Sequence, residues 1–216
     1  MFTKEDICVF LFNWKKVTQN SLRLYEKIRP IIKNTTIVNC DESCILDPTI
    51  SHIQLDDSHY YGSQYNHAIK HMNKNALLCV IVGDNIVDND FNAIFENALT
   101  AFNTLPIGVF SPRDKRTMHQ QKCLHIQNDI FTVNTTDCGF WFIHPLVISA
   151  LKNMDYSISK YGWGIDTITI KEANKMNLLC VTDFSIETDQ VDHSCGYDTA
   201  EAEQHMHVLN SEYLRL

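Results

Sequence analysis

The sequence predicts an α/β protein built on a mixed, mostly parallel central sheet with helices on both faces. Strand-like and helix-like segments alternate along the chain, which is typical of strands joined by helical crossovers. Two segments, 7–12 and 77–82, are continuous apolar runs, as expected of strands covered on both faces. The 216 residues suffice for one sizeable core, so 1–216 is predicted to be one domain, either as a whole protein or as the N-terminal part of a longer one.

Apolar residues at helical spacing predict the helices of the first half of the chain, and short apolar runs predict its strands. Thr18 is the predicted N-cap of the first helix, and Pro30 marks the region where that helix ends. The predicted order is strand 7–12, helix 17–32, strand 36–40, strand 50–55, helix 63–72, strand 77–82 and helix 92–102.

The second half continues the alternation but begins with a long polar segment. Residues 111–129 show neither helical nor strand periodicity, so we expect a mobile loop there that lies near a ligand site and orders on binding. The tail after Asp189 is acidic and carries histidines. The predicted elements are strands 107–110, 130–133, 140–143 and 178–181, with helices 145–151 and 167–176.

Composition and charge exclude several classes of protein. The net charge is −8 and the basic clusters are short, at Lys15-Lys16 and 113–116, so we expect no nucleic-acid partner. No apolar run approaches the roughly 20 residues of a membrane helix, and the N-terminus lacks the pattern of a signal peptide. The eight cysteines include no C-x-x-C pair, which favours reduced thiols and a cytoplasmic protein.

A carboxylate stands at the end of the apolar run 77–82, in Gly83-Asp84-Asn85. The carboxyl edge of an open α/β sheet is where ligands bind, and hard oxygen ligands there suit Mg²⁺ or Mn²⁺ carrying a diphosphate. The same three residues are also ordinary turn chemistry. Asp88 and Asp90 follow, either as a second ligand or as the start of the next helix.

A second carboxylate follows an aromatic turn, in the segment 161–166. Gly162 and Gly164 flank Trp163, which lets the ring lie flat beside a sugar, and Asp166 opens a helix whose N-terminus favours its ionised form. Alternatively, Asp166 is only a helix cap. His193 follows the last strand, where it either reaches a metal or is a surface histidine.

Further carboxylates follow the second and third predicted strands. Asp41 and Asp57 stand at positions where a carboxylate can accept hydrogen bonds from a nucleobase or a ribose. The phosphate loop G-x-x-x-x-G-K, the dinucleotide fingerprint and the G-x-S-x-G elbow are all absent from the sequence.

In this order the motifs resemble the GT-A glycosyltransferases over nearly the whole chain. More narrowly, the sequence is similar to the N-terminal domain of multi-domain glycosyltransferases of chlorella viruses. The resemblance rests on Asn13-Trp14, Asp41, Gln64, Asn66, Gly83-Asp84-Asn85, Asp137-Cys138-Gly139, Gly162 to Asp166, and His193.

The resemblance implies a Rossmann-like GT-A sandwich and a role for each matching residue. It implies Asp166 as the catalytic base, and Asp84 and His193 as metal ligands. Of the family's Asp-x-Asp element only Asp84 is present, and Ile165 replaces the first acid of the Gly-Trp-Gly-x-Glu-Asp element. On the acceptor side it implies Trp163, Gly164 and Cys138. The implied donor-binding residues are Phe12, Asn13, Asp41, Asp57, Gln64 and Asp84.

The resulting prediction is an inverting, metal-dependent glycosyltransferase that uses a UDP-sugar and a glycan acceptor, with Mn²⁺ or Mg²⁺. If the protein is viral, its compartment is the cytoplasm of the host cell. A sugar-nucleotide nucleotidyltransferase is less favoured, because it needs a glycine-rich loop after the first strand, where this chain has Asn13 to Lys16. The other alternative is a non-catalytic domain of the same fold that binds nucleotide sugars or carbohydrates.

Overall fold

The computed structural model describes residues 1–117, 120–191 and 197–215, whose ten strands form one mixed sheet. The order across the sheet is β3-β2-β1-β4-β9-β6-β10-β8-β7, and β5 pairs with β10. Seven strands, β1 to β4, β6, β7 and β10, run in one direction, and β9 runs against them between β4 and β6. The strands are β1 Ile7–Trp14, β2 Thr35–Cys40, β3 His52–Gln54, β4 Leu77–Val82, β5 Asn85–Val87, β6 Ile107–Asp114, β7 His125–Gln127, β8 Ile130–Thr132, β9 Phe140–Ile143 and β10 Leu179–Gln190.

Helices cover both faces of this sheet, which confirms the predicted fold class. The helices α1 and α3 pack on one face, and α2, α4, α5 and α6 pack on the other. Two short 3₁₀ turns lie at Lys4–Asp6 and Tyr156–Ile158. The helices are α1 Thr18–Ile28, α2 Tyr61–His71, α3 Phe91–Thr104, α4 Pro145–Leu151, α5 Ile165–Lys175 and α6 Thr199–Tyr213.

The strand β1 shows why the apolar runs are continuous. Ile7, Val9 and Leu11 face the core under α1 and α3, whereas Cys8 and Phe10 face the core under the other four helices. Successive strand residues point to opposite faces, so a strand with helices on both sides must be apolar at every position. None of the helices in the described ranges has the length and apolar composition needed to cross a bilayer.

The chain changes direction of winding between β1 and β4. After β1 it forms β2 and then β3 on one side, and it returns to place β4 on the other side of β1. The ends of β1 and β4 therefore lie side by side at the carboxyl edge of the sheet, which is where open α/β sheets bind ligands. We call this edge of β1, β2 and β4 the ligand edge.

The reversed strand β9 brings a later part of the chain to the ligand edge. Because β9 is antiparallel to β4, its first residue, Phe140, pairs with Ile81 near the end of β4. The backbone amide of Val82 donates to the carbonyl of Gly139 at 2.7 Å. Residues 137–139 thus lie beside Asp84.

Two parts of the polar second half are more ordered than their composition predicts. The loop expected at 111–129 is wrong at both ends, since β6 continues to Asp114 and β7 lies within it at His125–Gln127. The buried Gln120 amide fixes the connection by donating to the hydroxyl groups of Ser111 and Thr136 at 3.1 and 2.8 Å. The strand predicted at 178–181 extends to Gln190, and the tail contains α6.

The start of α1 also differs from the prediction. Val17, not Thr18, occupies the N-cap position, and no side chain caps the helix there. The Thr18 hydroxyl instead donates to a carboxylate oxygen of Asp41 at 2.8 Å, which connects α1 to the end of β2. At α3, Asp90 is the N-cap, with its side chain accepting from the amide of Asn92 at 3.0 Å. Asp90 thus has the helix-start role that was one of its two alternatives.

Gly62→Ala is expected to destabilise the protein by about 1–3 kcal/mol, the usual cost of overpacking. A Cβ at position 62 would lie 2.2 Å from the carbonyl oxygen of Tyr156 and 2.4 Å from that of Ser159, and backbone cannot swing aside. Urea unfolding would measure the loss. Ser63→Ala, at the next and half-buried position of α2, is the matched control and should change the unfolding free energy by less than about 0.5 kcal/mol.

Candidate active site

Asp84 lies at the ligand edge, separated from the end of β4 by Gly83 alone. Its residue is 9% exposed, and its backbone carbonyl accepts from the amide of Val191 at 2.7 Å. Burial, aided by the nearby charges of Asp137 and Asp114, raises the pKa of Asp84 to about 7, although Arg116 opposes the shift. A positive charge beside a carboxyl group in such surroundings stabilises its ionised form and lowers its pKa.

Asp137 joins the two parts of the site that the sequence analysis treated separately. Its charge acts on Asp84 from one side, and it also raises the pKa of the next residue, Cys138, whose thiol is chiefly affected by burial. One Asp137 oxygen accepts from the amide of Gly139 at 2.6 Å, which fixes the turn into β9. The sequence analysis included Asp137 in the resemblance but gave it no role, since its contact with Asp84 depends on where β9 enters the sheet.

Asp166 lies in the first turn of α5, close enough to Cys138 for its charge to act on that thiol. Its charge contributes to the raised pKa of two cysteines, Cys138 and Cys180, for both of which burial is the larger cause. The helix α5 precedes β10 and leads from the carboxyl edge of the sheet back to the start of that strand. The N-terminus of α5 therefore lies at the same edge of the sheet as Asp84. Asp84, Asp137, Cys138 and Asp166 therefore lie near one another at this edge of the sheet.

Buried amides hold the ends of β1 and β2 together. The Asn13 amide donates to the side-chain oxygen of Asn39 at 2.6 Å. The Gln64 amide, on α2, donates to the carbonyls of Asn13 and Val38 at 2.9 and 3.0 Å. Phe12 is fully buried and packs edge-on to Tyr61, with ring centroids 5.1 Å apart. Three predicted donor-binding residues, Phe12, Asn13 and Gln64, are thus brought together, and the amide hydrogens of Gln64 already have partners within the protein.

Asp41 and Asp57 lie on neighbouring loops that are joined at the ligand edge. Burial acts to raise the pKa of Asp41, but hydrogen bonds from Ser43 and Thr18 outweigh it and hold this pKa below its usual value. Asp57 is exposed and accepts from the amide of Glu42 at 2.7 Å. Asp41 is therefore ionised at neutral pH and fixed in position, as a group that receives a base or ribose needs to be.

The turn before α5 has the shape that its glycines predicted. Gly162 and Gly164 have φ angles of +88° and +86°, which side chains other than glycine rarely adopt. A Cβ at Gly162 would lie 2.5 Å from the ring of Tyr61, whose hydroxyl donates to the carbonyl of Cys138 at 2.8 Å. Trp163, between the two glycines, donates from Nε1 to the hydroxyl of Tyr197 at 3.1 Å. The turn that carries Trp163 and Gly164, two of the residues predicted for the acceptor side, is thus connected to the third, Cys138, through Gly162 and Tyr61.

The predicted metal ligands divide into one that is placed and one that is not. His193 lies outside the described residues. Within the described ranges no group of three or more His, Cys, Asp or Glu side chains is arranged to hold a metal ion. Asp84 with Asp137 is nevertheless a donor set that fits Mg²⁺ or Mn²⁺, because such ions commonly take one or two carboxylates and complete their coordination with substrate phosphates. A cation bound there would oppose the effects of burial and of the neighbouring carboxylates that raise the pKa of Asp84.

Sequence reasoning also missed a polar group beside Asp84. Asp114, at the end of β6, accepts from the Gln190 amide at 2.6 Å, and Arg116 donates to the Gln190 carbonyl at 3.2 Å. Arg116 is exposed, and its charge is the one that opposes the raised pKa of Asp84. The short basic cluster at 113–116 was a signal of it, but only the unexpected length of β6 brings it here.

Solved structures of enzymes that handle nucleotide sugars share this fold. The chain is similar to GalNAc-T7 with UDP, GalNAc and Mn²⁺, with a TM-score of 0.66 and 6% identity over 95% of this chain and 47% of that one. It is also similar to UDP-glucose pyrophosphorylase complexed with UDP-glucose, with a TM-score of 0.57 and 9% identity over 97% and 100% of the two chains. A putative glucose-1-phosphate thymidylyltransferase from Bacillus anthracis, in complex with a sucrose, gives 0.57 and 12% over 96% and 95%.

These likenesses establish a GT-A-like fold, at identities where fold alone is shared. No protein-family model and no curated protein matches the sequence. The narrower resemblance to a viral domain stays a prediction, as do the roles of the individual residues.

The buried carboxyl of Asp84 gives a pH-dependent test on the metal-free protein. Its pKa is raised from 3.8 to about 7, so the folded protein keeps a proton that the unfolded chain releases. The folded state is therefore penalised increasingly as pH rises from about 4 to about 7, and fully above that. In EDTA at pH 8, Asp84→Asn should raise the unfolding free energy by on the order of 2 kcal/mol.

Urea unfolding at several pH values would measure this gain, which should fall by more than half between pH 8 and pH 5 as Asp84 takes up its proton in the folded state. Asp88→Asn, at an exposed position separated from Asp84 by the strand β5, is the control and should leave the unfolding free energy unchanged at both pH values. A gain that does not depend on pH would contradict the assignment.

Proposed function

We propose that this protein is a metal-dependent glycosyltransferase that moves a sugar from a UDP-sugar to a hydroxyl of a glycan, with inversion at the anomeric carbon. One observation carries the proposal. Asp84 and Asp166, which are widely separated in sequence, both lie near the segment Asp137-Cys138 at the carboxyl edge of the sheet, because the charge of Asp137 raises the pKa of Asp84 and the charge of Asp166 raises the pKa of Cys138. A carboxylate suited to a cation and a carboxylate suited to a proton would thus act at one edge of the sheet.

The donor would lie along the ligand edge. Asp41 would accept a hydrogen bond from the base or ribose, and Asp57 would hold the neighbouring loop in place through Glu42. The buried amides of Asn13 and Gln64 would fix the ends of β1 and β2 under the nucleoside. The diphosphate would lie toward Asp84, within reach of the Arg116 guanidinium, whose charge is felt at Asp84.

Asp84, Asp137 and His193 are the residues that would hold Mn²⁺ or Mg²⁺. When bound, the ion would act as a Lewis acid for the leaving diphosphate. Asp166 would accept the proton of the acceptor hydroxyl as that oxygen attacks the anomeric carbon from the side opposite the diphosphate. Trp163 would line the acceptor side of the sugar. The likeness to GalNAc-T7, which was solved with UDP and Mn²⁺, supports this assignment at the level of fold.

A nucleotidyltransferase is the second candidate, favoured by one observation. The two nucleotidyltransferase structures match over 95% and 100% of their chains, whereas this chain spans 47% of the GalNAc-T7 chain. Against it, the loop between β1 and α1 contains no glycine to approach a triphosphate. Release of UDP from a UDP-sugar indicates the transferase, and release of pyrophosphate from UTP with a sugar 1-phosphate indicates the nucleotidyltransferase. If neither UDP nor pyrophosphate is released, the protein is a non-catalytic binding domain.

Asp84→Asn should abolish the Mn²⁺-dependent part of UDP binding, because the amide keeps the shape of the carboxyl group but cannot neutralise the cation. Isothermal calorimetry with UDP, in MnCl₂ and in EDTA, would measure it. Asp88→Asn is again the matched control and should bind as the parent protein does. Unchanged UDP affinity in MnCl₂ for Asp84→Asn would remove Asp84 from the metal site.

Asp166→Asn should lower transfer by on the order of 10²-fold or more while UDP affinity is kept, because a positioned base contributes about that factor. The donor for this assay is the UDP-sugar that gives the largest thermal shift in a screen. NMR of the product should show the anomeric configuration opposite to that of the donor.

Asp90→Asn, at the cap of α3 on the opposite face of the sheet, controls for the loss of a helix-start carboxylate. It should cost stability only. A product with retained configuration, or near-normal transfer by Asp166→Asn, would leave Asp166 as a helix-start residue.

A further inference from the structure

Four aromatic side chains form a cluster on the surface beside Asp166. Tyr161 stacks on Tyr197 with ring centroids 4.5 Å apart and planes 13° from parallel. Tyr60 packs edge-on to Tyr161 at 5.4 Å, and Trp163 packs edge-on to Tyr197 at 6.4 Å. We call Tyr60, Tyr161, Trp163 and Tyr197 the aromatic platform.

We propose that the aromatic platform binds an uncharged oligosaccharide segment of the acceptor, next to the hydroxyl that receives the sugar. The assignment of this segment as the acceptor rests on the proposed function, whereas its binding to the aromatic platform does not. The proposal names the substrate class of this side of the site as a neutral sugar chain.

The platform is both apolar and hydrogen-bonding, as sugar recognition requires. Tyr60 and Tyr197 are 43% and 38% exposed, which is high for large rings that pack together. Sugar rings present a C–H face with hydroxyl groups around its rim, and an exposed Tyr or Trp offers an apolar face with a polar tip. The Trp163 indole nitrogen is oriented by its hydrogen bond to the Tyr197 hydroxyl, so the side chains of Trp163 and Tyr197 hold each other in place.

The charges at the platform compensate each other. Lys160 lies over the rings of Tyr60 and Tyr161, with Nζ 4.6 and 5.2 Å from their centroids. The Tyr161 hydroxyl donates to a carboxylate oxygen of Glu201 at 2.9 Å. The cation and the anion on the Tyr161 ring offset each other, and His205, which stacks on the same ring at 6.1 Å, lies 3.9 Å from Glu201. These contacts form no cluster of one sign that would select an ionised sugar or a phosphate, and this favours a neutral chain.

The platform is continuous with the candidate active site. Its residues come from the segments just before α2, α5 and α6, and Trp163 stands three residues before Asp166. The chain between Tyr161 and Trp163 is pressed against Tyr61 at Gly162, and Tyr61 in turn bonds to the carbonyl of Cys138. An oligosaccharide on the aromatic platform therefore lies close to Tyr61 and Cys138, which connect the platform to the candidate active site.

Calorimetry with oligosaccharides, in the absence of donor, tests the surface by itself. The probes are cellohexaose, chitohexaose and maltohexaose as neutral chains, and a hyaluronan hexasaccharide as a charged one. At about 5 mM, a site with a millimolar dissociation constant is more than half filled. At least one neutral probe should bind, and Tyr197→Ala should weaken that binding about tenfold or more.

Two further variants separate the face of the ring from its hydroxyl and from general effects. Tyr197→Phe keeps the face and should bind within about threefold of the parent protein. Phe184→Ala removes a partly buried aromatic from a second cluster, where it packs against Phe131 at 5.6 Å, and should leave binding unchanged. Thermal unfolding of each variant would verify that it is folded.

Three results would overturn the proposal: no binding of any neutral probe, equal binding by Tyr197→Ala, or tighter binding of the hyaluronan hexasaccharide than of the neutral chains. Light scattering adds a fourth, a dimer that Tyr197→Ala dissociates, since a second copy would then cover the platform. UDP titration in MnCl₂ on the same samples keeps the two proposals apart. If UDP binds and no sugar does, the proposed transferase function stands and the sugar-binding role of the platform is contradicted. If a sugar binds and UDP does not, the sugar-binding role stands and the proposed function is contradicted.

Discussion

The close pairing of the ends of β1 and β4 is the constraint on which the site depends. The amide of Gly83 donates to the carbonyl of Phe12 at 2.8 Å, so the turn after β4 is held against the end of β1. A Cβ at position 83 would lie 2.9 Å from that carbonyl and 2.1 Å from the hydroxyl of Ser21. A side chain at position 83 would clash with this backbone, so only glycine fits at this point of the turn. Asp84, the next residue, is left as the carboxylate that this turn presents.

The groups around the site are fixed in advance by buried polar contacts. Asn39 illustrates this, since its amide donates to the side-chain oxygen of Gln54 at 2.8 Å while its oxygen accepts from Asn13 at 2.6 Å. Ser111, Thr136 and Thr182 form a similar set at the end of β6, with hydroxyl oxygens 2.7 and 2.9 Å apart. Buried polar groups that satisfy each other specify one arrangement of the strand ends, and little reorganisation is then needed when a ligand binds.

Sequence reasoning succeeded where local pattern and tertiary structure coincide. The apolar runs of β1 and β4, the helical spacing in α3 and the two glycines around Trp163 each carry their own signal. It failed at β10, because the nine of its twelve residues beyond Val181 include polar ones such as Asp183 and Glu187, whose places are set by partner strands. It also failed at α6, whose buried residues, Ala202, Leu209 and Tyr213, are too few to mark a helical face. The relation of Asp137 to Asp84 could not be found from sequence, since it arises only when β9 enters between β4 and β6.

The reversed direction of β9 divides the labour of the site between two stretches of chain. Everything at the ends of β1, β2 and β4 comes from the first 85 residues, whereas Asp137, Trp163 and Asp166 come from 137 onward. A strand that enters against its neighbours delivers the segment before it directly to the edge, without a crossover helix that would have to be rebuilt whenever that segment changed length. Under the proposed function, most of the residues assigned to the acceptor lie in the later stretch, so a substitution there would alter which glycan is accepted without disturbing the earlier one. Related proteins would then diverge in their products while keeping the same nucleotide.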